Sequence, residues 1–223
     1  MRRYFIHLLT AFPDRMAEPR WLGRCRLEGA EYLLAARQAG RPVVLVFFHF
    51  GPIYVMRQWL RAHGFPVSVY IDGNPESRGR VESFEGSLTP FPGVPLAFFP
   101  GELRKVMEFL KAGNILFMAV DMRGGQRTIA ETADGWTTTI NSGAARLAAQ
   151  TDADLLVATI VNEGFWRFRI KFSPPILAAQ LQTRDQLTTA NRQLLLDILP
   201  DFKRYPDQFI VPIVWQPAKN AGC

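Results

Sequence analysis

Apolar runs of strand length alternate along the chain with segments of helical periodicity. The runs predict strands at residues 43–48, 67–71, 115–120 and 154–161. The segments between them are followed or ended by glycine in several cases, and they predict helices at residues 27–40, 53–63, 102–112 and 141–150. This alternation is typical of an α/β protein, here with a mixed, mostly parallel sheet flanked by helices.

The later part of the chain adds a strand and a long helix. Residues 165–172 alternate strictly, so Arg167, Arg169 and Lys171 share one face, which we expect to be an ordinary solvent-facing strand surface. Docking of an acidic protein or of lipid headgroups is the alternative for that face. A capping box from Thr183 to Gln186 predicts a helix over residues 183–199. The polar stretches 72–100 and 122–139 are predicted as long loops, which are often functional.

Composition indicates one folded domain over residues 1–223. The chain is 48% hydrophobic and 21% charged, with a net charge of +6 that favours anionic partners. Nucleic acid is not expected as a partner, because the basic residues do not interleave with aromatic residues in any binding motif.

The two cysteines lie far apart in sequence, which favours a reducing, cytoplasmic compartment. Neither a metal-ligand spacing nor a nucleotide-binding glycine motif is present, so we expect no metal and no cofactor.

The N-terminal residues 1–25 form a basic arm. No apolar run approaches the roughly 18–20 residues that span a bilayer. A basic, partly apolar arm can lie on an anionic membrane surface, and a solvated arm is the equally weighted alternative. The arginines in the first 26 residues are Arg2, Arg3, Arg15, Arg20, Arg24 and Arg26, against Asp14 and Glu18.

The candidate chemistry lies at the ends of two predicted strands. His49 directly follows the first apolar strand, and Asp121 directly follows the strand at 115–120. Ligands of open α/β sheets bind beyond the carboxyl ends of the strands, and imidazole is well suited to proton transfer near neutral pH. We therefore predict that Asp121 approaches His49 closely enough for a direct or one-water hydrogen bond, fixing its tautomer.

No protein nucleophile is evident beside this base. The chain has no Gly-x-Ser-x-Gly elbow, and neither cysteine follows a strand that could pair with the histidine strand. A base without a nucleophile suggests direct activation of a substrate hydroxyl or amine. Arg123, which is followed by two glycines, suits close approach to a phosphate or another anion, with a solvated turn as the alternative.

Five segments in this order resemble the lipid A late acyltransferase family of the lysophospholipid acyltransferase superfamily, over residues 26–215. They are "LEGAEYLLAARQAGRPVVLVFFHFG", "GNPESRGR", "FLKAGNILFMAVDMRGGQ", "NSGAARLAAQTDADLLVATIV" and "RYPDQF". The resemblance implies a lysophospholipid acyltransferase-like fold. It also implies that a histidine in a His-x4-Asp/Glu motif deprotonates an acceptor hydroxyl, which attacks an acyl carrier protein or coenzyme A thioester.

The resemblance assigns roles to individual residues. His49 matches the catalytic histidine, and Asp121 matches an acidic residue near the active site. Arg123, Arg78 and Tyr54 are the expected substrate-binding residues, for a lipid or small-molecule acceptor and an acyl thioester. Tyr54 stands where the motif has its acid. The family's N-terminal membrane helix has no counterpart here, so we expect a peripheral protein at the inner face of the cytoplasmic membrane.

Two functions follow from these features. The first is an acyltransferase in which His49 is the general base and Asp121 supports it. The second is a catalytically degenerate relative that binds acyl chains or acyl carrier protein as a partner subunit. The tyrosine at position 54, in place of a carboxylate, is the main support for the second function.

Overall fold

The computed structural model describes residues 23–71, 92–121, 127–131, 136–164, 167–209 and 216–217. Its helices are α1 (Ala30–Gln38), α2 (Ile53–Ala62), α3 (Leu103–Lys111), α4 (Gly143–Thr151) and α5 (Arg184–Arg204). Its strands are β1 (Cys25–Glu28), β2 (Val43–Phe47), β3 (Val67–Tyr70), β4 (Ala97–Phe98), β5 (Ile115–Ala119), β6 (Arg127–Glu131), β7 (Trp136–Asn141), β8 (Asp154–Gly164), β9 (Arg167–Phe172) and β10 (Gln216–Pro217). Short 3₁₀ turns lie at Ala178–Gln180 and Pro206–Gln208.

The described strands form one large sheet and one small one. The large sheet has the order β1-β9-β8-β2-β5-β3-β4. The strands from β8 to β4 run parallel, whereas β9 is antiparallel to β8 and carries β1 parallel to itself. The predicted mixed, mostly parallel α/β sheet is therefore confirmed. The small sheet, β10-β7-β6, is antiparallel.

Helices cover both faces of the large sheet. Along β2, Val43, Leu45 and Phe47 pack with the cluster that contains α1 and α2 residues. The alternate residues Val44 and Val46 pack with the cluster formed by α3, α4 and α5. Because both faces of β2 are buried, its sequence is continuously apolar rather than alternating. No helix in the described ranges combines the length and hydrophobicity that crossing a membrane requires.

The predicted loop at 122–139 is wrong. Residues Arg127–Glu131 and Trp136–Asn141 pair as an antiparallel hairpin instead. Asn141 ends β7, so the helix predicted from 141 begins at Gly143. The run of threonines in β7 favours a strand, because β-branched residues favour strands even when they are polar. Their polarity led to the prediction of a loop. In the other predicted loop, Ala97–Phe98 forms β4, and residues 72–91 lie outside the described residues.

The boundaries near the N-terminus also differ from the prediction. Cys25–Glu28 pair with β9, so the basic arm ends in the sheet and the first helix begins after Gly29 instead of at residue 27. Gly29 has a φ of 74°, and a Cβ there would lie 2.2 Å from the carbonyl oxygen of Phe172. Only glycine fits this close approach between two chain segments. Residues 1–22 of the arm lie outside the described residues.

The predicted solvent-facing surface of β9 is wrong at its centre. Arg167 is exposed and Lys171 is half-buried, but Arg169 is 7% exposed. It pairs with Asp201 in the last turns of α5, which runs to Arg204 rather than ending at residue 199. The basic face is therefore partly covered by a helix that supplies the opposite charge.

Candidate active site

The pairing register of β2 and β5 places His49 opposite Asp121. Phe47 pairs with Ala119 in parallel register as the last pair of the two strands, and His49 and Asp121 each lie two residues beyond it. The Val120 N–H donates to the Phe47 carbonyl at 3.1 Å, which extends the pairing past the last strand residue. Two side chains that follow neighbouring parallel strands thus meet at the carboxyl edge of the sheet.

The Asp121 carboxylate binds His49 twice. Its Oδ1 lies 2.7 Å from the imidazole Nδ1, and its Oδ2 accepts the His49 backbone N–H at 2.8 Å. The predicted approach of the two side chains is confirmed. A carboxylate only accepts hydrogen bonds, so Nδ1 carries the proton and Nε2 of the neutral ring keeps its lone pair. The Asp121 side chain is 3% exposed and the His49 side chain 20%, so the acid is buried while the ring reaches the surface.

A tight turn between β2 and α2 presents the imidazole. The Phe50 N–H donates to the Phe48 carbonyl at 2.6 Å, and Gly51 follows with a φ of 67°. A Cβ at Gly51 would lie 1.8 Å from the Ile160 carbonyl oxygen, so the turn passes β8 at a distance that only glycine allows. Pro52 then caps α2.

This edge is where the chain connections diverge. The chain leaves β2 for α2 on one face of the sheet, and after β5 and the β6–β7 hairpin it enters α4 on the other face. Such a point in a parallel sheet leaves a crevice that binds ligands. An oriented imidazole there can accept a proton from a hydroxyl or amine.

Beside His49, the described residues include neither a metal-binding group nor a reactive thiol. Within the described residues, no group of three or more histidine, cysteine, aspartate or glutamate side chains could hold a metal ion. Cys25 lies in β1, away from His49 in the strand order, and burial raises the pKa of its thiol to about 12. A thiol with so high a pKa does not form the reactive thiolate at neutral pH.

Of the other three predicted site residues, Tyr54, Arg78 and Arg123, the structure describes only Tyr54. Tyr54 lies in the first turn of α2, half-buried against the cluster on the α1 and α2 face. Arg78 and Arg123 lie outside the described residues. The structure therefore brings together His49 and Asp121, while the substrate-binding roles of the other three remain predictions.

Sequence reasoning missed three buried polar residues, two in α2 and one beside the His49 turn. Arg57 and Arg61 are buried in α2 and donate to the carbonyls of Leu96 at 2.6 Å and Val67 at 2.7 Å, which ties the helix to β3 and the segment before β4. Gln208 is buried beside the His49 turn, and its carbonyl accepts the Gly51 N–H at 2.8 Å. The only sequence signal for Gln208 is its place in "RYPDQF".

The fold and the site define an α/β protein with a histidine–aspartate pair at the carboxyl edge of a parallel sheet. The family model described as "Bacterial lipid A biosynthesis acyltransferase" matches residues 4–199. The chain belongs to this family and is an acyltransferase of lipid biosynthesis, as the resemblance predicted.

Solved structures agree with this assignment at the level of fold. The 1-acyl-sn-glycerophosphate (LPA) acyltransferase PlsC from Thermotoga maritima is similar with a TM-score of 0.54 and 16% sequence identity. The match covers 91% of this chain and 81% of that chain. No curated protein matches the sequence. The predicted lysophospholipid acyltransferase-like fold is confirmed.

Proposed function

We propose that this protein transfers an acyl chain from a thioester to a hydroxyl or amine of a lipid acceptor, with His49 as the general base. The observation that carries the proposal is the 2.7 Å contact between His49 Nδ1 and Asp121 Oδ1. It orients the ring at the edge of the sheet where substrates of α/β enzymes bind. It also stabilises the imidazolium that forms when the ring takes a proton.

The reaction uses the two nitrogens of the ring differently. Nε2 of His49 takes the proton of the acceptor hydroxyl or amine as that group attacks the thioester carbonyl carbon. A carbon–oxygen or carbon–nitrogen bond forms, the carbon–sulfur bond breaks, and the leaving thiolate takes the proton back from the imidazolium. Asp121 keeps its charge throughout and holds Nδ1–H. No acyl-enzyme intermediate is required.

Asp121 takes the place of the missing motif acid in this proposal. Tyr54 lies five residues after His49, at the position where the family's His-x4-Asp/Glu motif has Asp or Glu. A phenol is neutral at pH 7 and cannot balance an imidazolium charge as a carboxylate does. The Asp121 carboxylate already binds both the ring and the backbone of His49, so a second acid is not needed to orient the base.

The substrate-binding residues of the proposal are Arg123, Arg78 and Tyr54. The two arginines bind anionic groups of the donor or of the acceptor, since a guanidinium pairs with phosphate in a bidentate fashion. Tyr54, in the first turn of α2, contacts the acceptor in this proposal. The donor is acyl carrier protein or coenzyme A carrying the acyl chain. The protein acts from the cytoplasm at the inner face of the cytoplasmic membrane, held there peripherally.

Turnover of defined thioesters tests the proposal. Purified protein is incubated with acyl-acyl carrier protein or acyl-coenzyme A and a panel of lipid acceptors, and products are measured by mass spectrometry. We expect His49→Ala to lower kcat by about 10²–10⁴-fold, the usual contribution of a general base. The matched control is His63→Ala, because His63 is an exposed histidine stacked on Trp59 with ring centroids 4.1 Å apart. Full activity of His49→Ala would overturn the mechanism.

A second function, that of a degenerate partner subunit, is favoured by one observation, the tyrosine at position 54. Such a protein would bind acyl carrier protein or acyl chains without turning them over. In the same assay it would show no product with wild type, together with measurable binding of the acylated carrier. Product formation by wild type that depends on His49 rejects this alternative.

A further inference from the structure

The segment that follows α5 crosses the carboxyl edge of the sheet beside the His49 turn. We call Tyr205–Phe209 the strap. Within the strap, Gln208 is 1% exposed and makes three hydrogen bonds to residues outside the strap. Its backbone carbonyl accepts the Gly51 N–H at 2.8 Å. Its side-chain Oε1 accepts the Asn162 N–H at 2.9 Å, and its Nε2 donates to the Asn162 carbonyl at 2.9 Å.

Gln208 takes the place of a missing strand. The pairing of β2 with β8 ends at Val46 and Val157, whereas β8 continues to Gly164. Past Val157, no β2 residue pairs with β8, and the backbone N–H and C=O of Asn162 lie on this unpaired edge of β8. A buried N–H or C=O without a partner costs about 1–3 kcal/mol. The carboxamide of Gln208 satisfies both groups in the manner of a paired strand residue.

Aromatic packing holds the same turn to the strap. Phe50 and Phe209 form an isolated antiparallel bridge. Their ring centroids lie 5.0 Å apart, and both rings contact Phe202 of α5, at 4.8 Å from Phe50 and 4.7 Å from Phe209. The two residues after His49 are therefore fixed by the strap, while Asp121 fixes His49 itself.

We propose that Gln208 is a positioning residue for His49. It joins the Gly51 backbone to β8 and so sets the path of the turn that carries the imidazole. The inference rests on the proposed function of His49 as a base, and Gln208 acts through Gly51 without touching substrate. A displacement of about 1 Å in a catalytic group can cost about 10²-fold in rate, so loss of this link affects turnover more than substrate binding.

The first test replaces Gln208 with leucine, which has a similar size and no amide. We expect Gln208→Leu to lower kcat by about 10–100-fold with KM changed by less than about threefold. NMR signals of the ring nitrogens in ¹⁵N-histidine-labelled protein are the second measurement. A loss of stability alone would leave the His49 signal unchanged, whereas a displaced His49 ring would change it. The chain has three histidines, and His49→Ala assigns the signal. We expect the His49 Nδ1–H signal to shift or broaden in Gln208→Leu.

Ser173→Ala is the matched control. The buried Ser173 hydroxyl accepts the Val157 N–H at 3.0 Å, so this change also removes a side-chain hydrogen bond to the β8 backbone, but away from the turn. It should lower the melting temperature and leave the His49 signal unchanged. A His49 signal in Gln208→Leu that is identical to wild type overturns the proposal whatever the turnover. A changed signal in a protein without acyl transfer supports positioning and counts against the proposed function alone.

Gln208→Glu tests the inference if the leucine variant does not fold. A protonated carboxyl group can donate to the Asn162 carbonyl and accept its N–H, as the amide does, whereas the carboxylate can only accept. Relative to wild type at the same pH, the His49 signal should therefore recover as pH falls through the pKa of the introduced acid.

Hydrogen exchange of the wild-type protein tests the same link without a substitution. The Gly51 and Asn162 amides should exchange slowly with solvent and at matching rates. A Gly51 amide that exchanges as fast as an exposed glycine overturns the proposal.

Discussion

Asp121 binds the backbone and the ring of the same residue, His49, with its two carboxylate oxygens. The N–H contact measures 2.8 Å and the contact to Nδ1 2.7 Å. The ring is therefore oriented relative to the end of the strand that carries it, not only relative to the acid. This arrangement follows from the register of β2 and β5, in which Phe47 pairs with Ala119 two residues before the histidine and the aspartate.

Asp121→Asn separates orientation from folding. An asparagine oxygen can still accept the His49 N–H, so we expect a melting temperature close to wild type. Its amide donates to Nδ1, which favours the ring tautomer with the proton on Nε2 and removes the base. We expect kcat to fall by about 10²–10⁴-fold in the thioester assay. A kcat within about threefold of wild type would show that Asp121 does not orient a catalytic base.

Tyr54→Glu recreates the family motif around His49. Because Asp121 already occupies Nδ1, the added carboxylate should raise kcat or leave it nearly unchanged, provided it is not buried without a partner. Tyr54→Phe is the control for loss of the hydroxyl alone. The same thioester assay measures both variants. Turnover that appears only in Tyr54→Glu, with an inert wild type, would identify the natural protein as the degenerate partner subunit.

The central strands and the pair of His49 and Asp121 could be predicted because each depends on a local pattern in the sequence. An unbroken apolar run such as Val43–Phe47 identifies a strand buried on both faces, and polar residues after two such strands converge at one edge of a parallel sheet. The β6–β7 hairpin could not be predicted in this way, because its polar threonines resemble loop composition. The burial of Arg169 also escaped prediction, since it depends on α5 bringing Asp201 from 32 residues away. The link between Gln208 and Asn162 spans 46 residues and leaves no periodic signal in the sequence.

Membrane attachment through the basic arm should depend on salt. Arg2, Arg3, Arg15 and Arg20 lie in the part of the arm outside the described residues, and their charge attracts anionic lipid. We expect co-sedimentation with vesicles of phosphatidylglycerol and phosphatidylethanolamine at low ionic strength, and release as salt shortens the screening length to about 3 Å near 1 M. A chain with the four arginines changed to glutamine should bind weakly at every salt concentration. Binding that does not respond to salt would contradict an electrostatic attachment.

Arg169 should be important for stability. It pairs with Asp201 and contacts Glu163 at 3.1 Å and Glu28 at 3.4 Å, with its own side chain 8% exposed. Removing one partner of a buried ion pair leaves an uncompensated charge, so we expect Arg169→Met to lower the free energy of unfolding by about 3–5 kcal/mol. The double variant Arg169→Met/Asp201→Leu should recover part of this loss. Urea unfolding measures both, and a loss below about 1 kcal/mol in the single variant would show that the pair contributes no more than a surface salt bridge.

Glu163 should give this cluster a dependence on pH. Burial alone would raise the pKa of its carboxyl group, but hydrogen bonds and charge from Arg26 and Arg169 outweigh burial and lower the pKa below its ordinary value of 4.5. A group whose pKa is lower in the folded state stabilises the fold when ionised. Its contribution is present above the ordinary pKa and is lost as pH falls through the folded-state value.

The Glu163→Gln variant isolates this contribution from those of other acids. Burial raises the pKa of Asp154 and Asp197, so these two groups change stability with pH in the opposite direction and are present in both proteins. We expect the wild type to be more stable than Glu163→Gln near neutral pH, and the difference to shrink as pH falls through 4.5 and below. Urea unfolding at several pH values measures the difference. A difference that grows on acidification would mean that the two arginines do not hold the Glu163 carboxylate in its charged form.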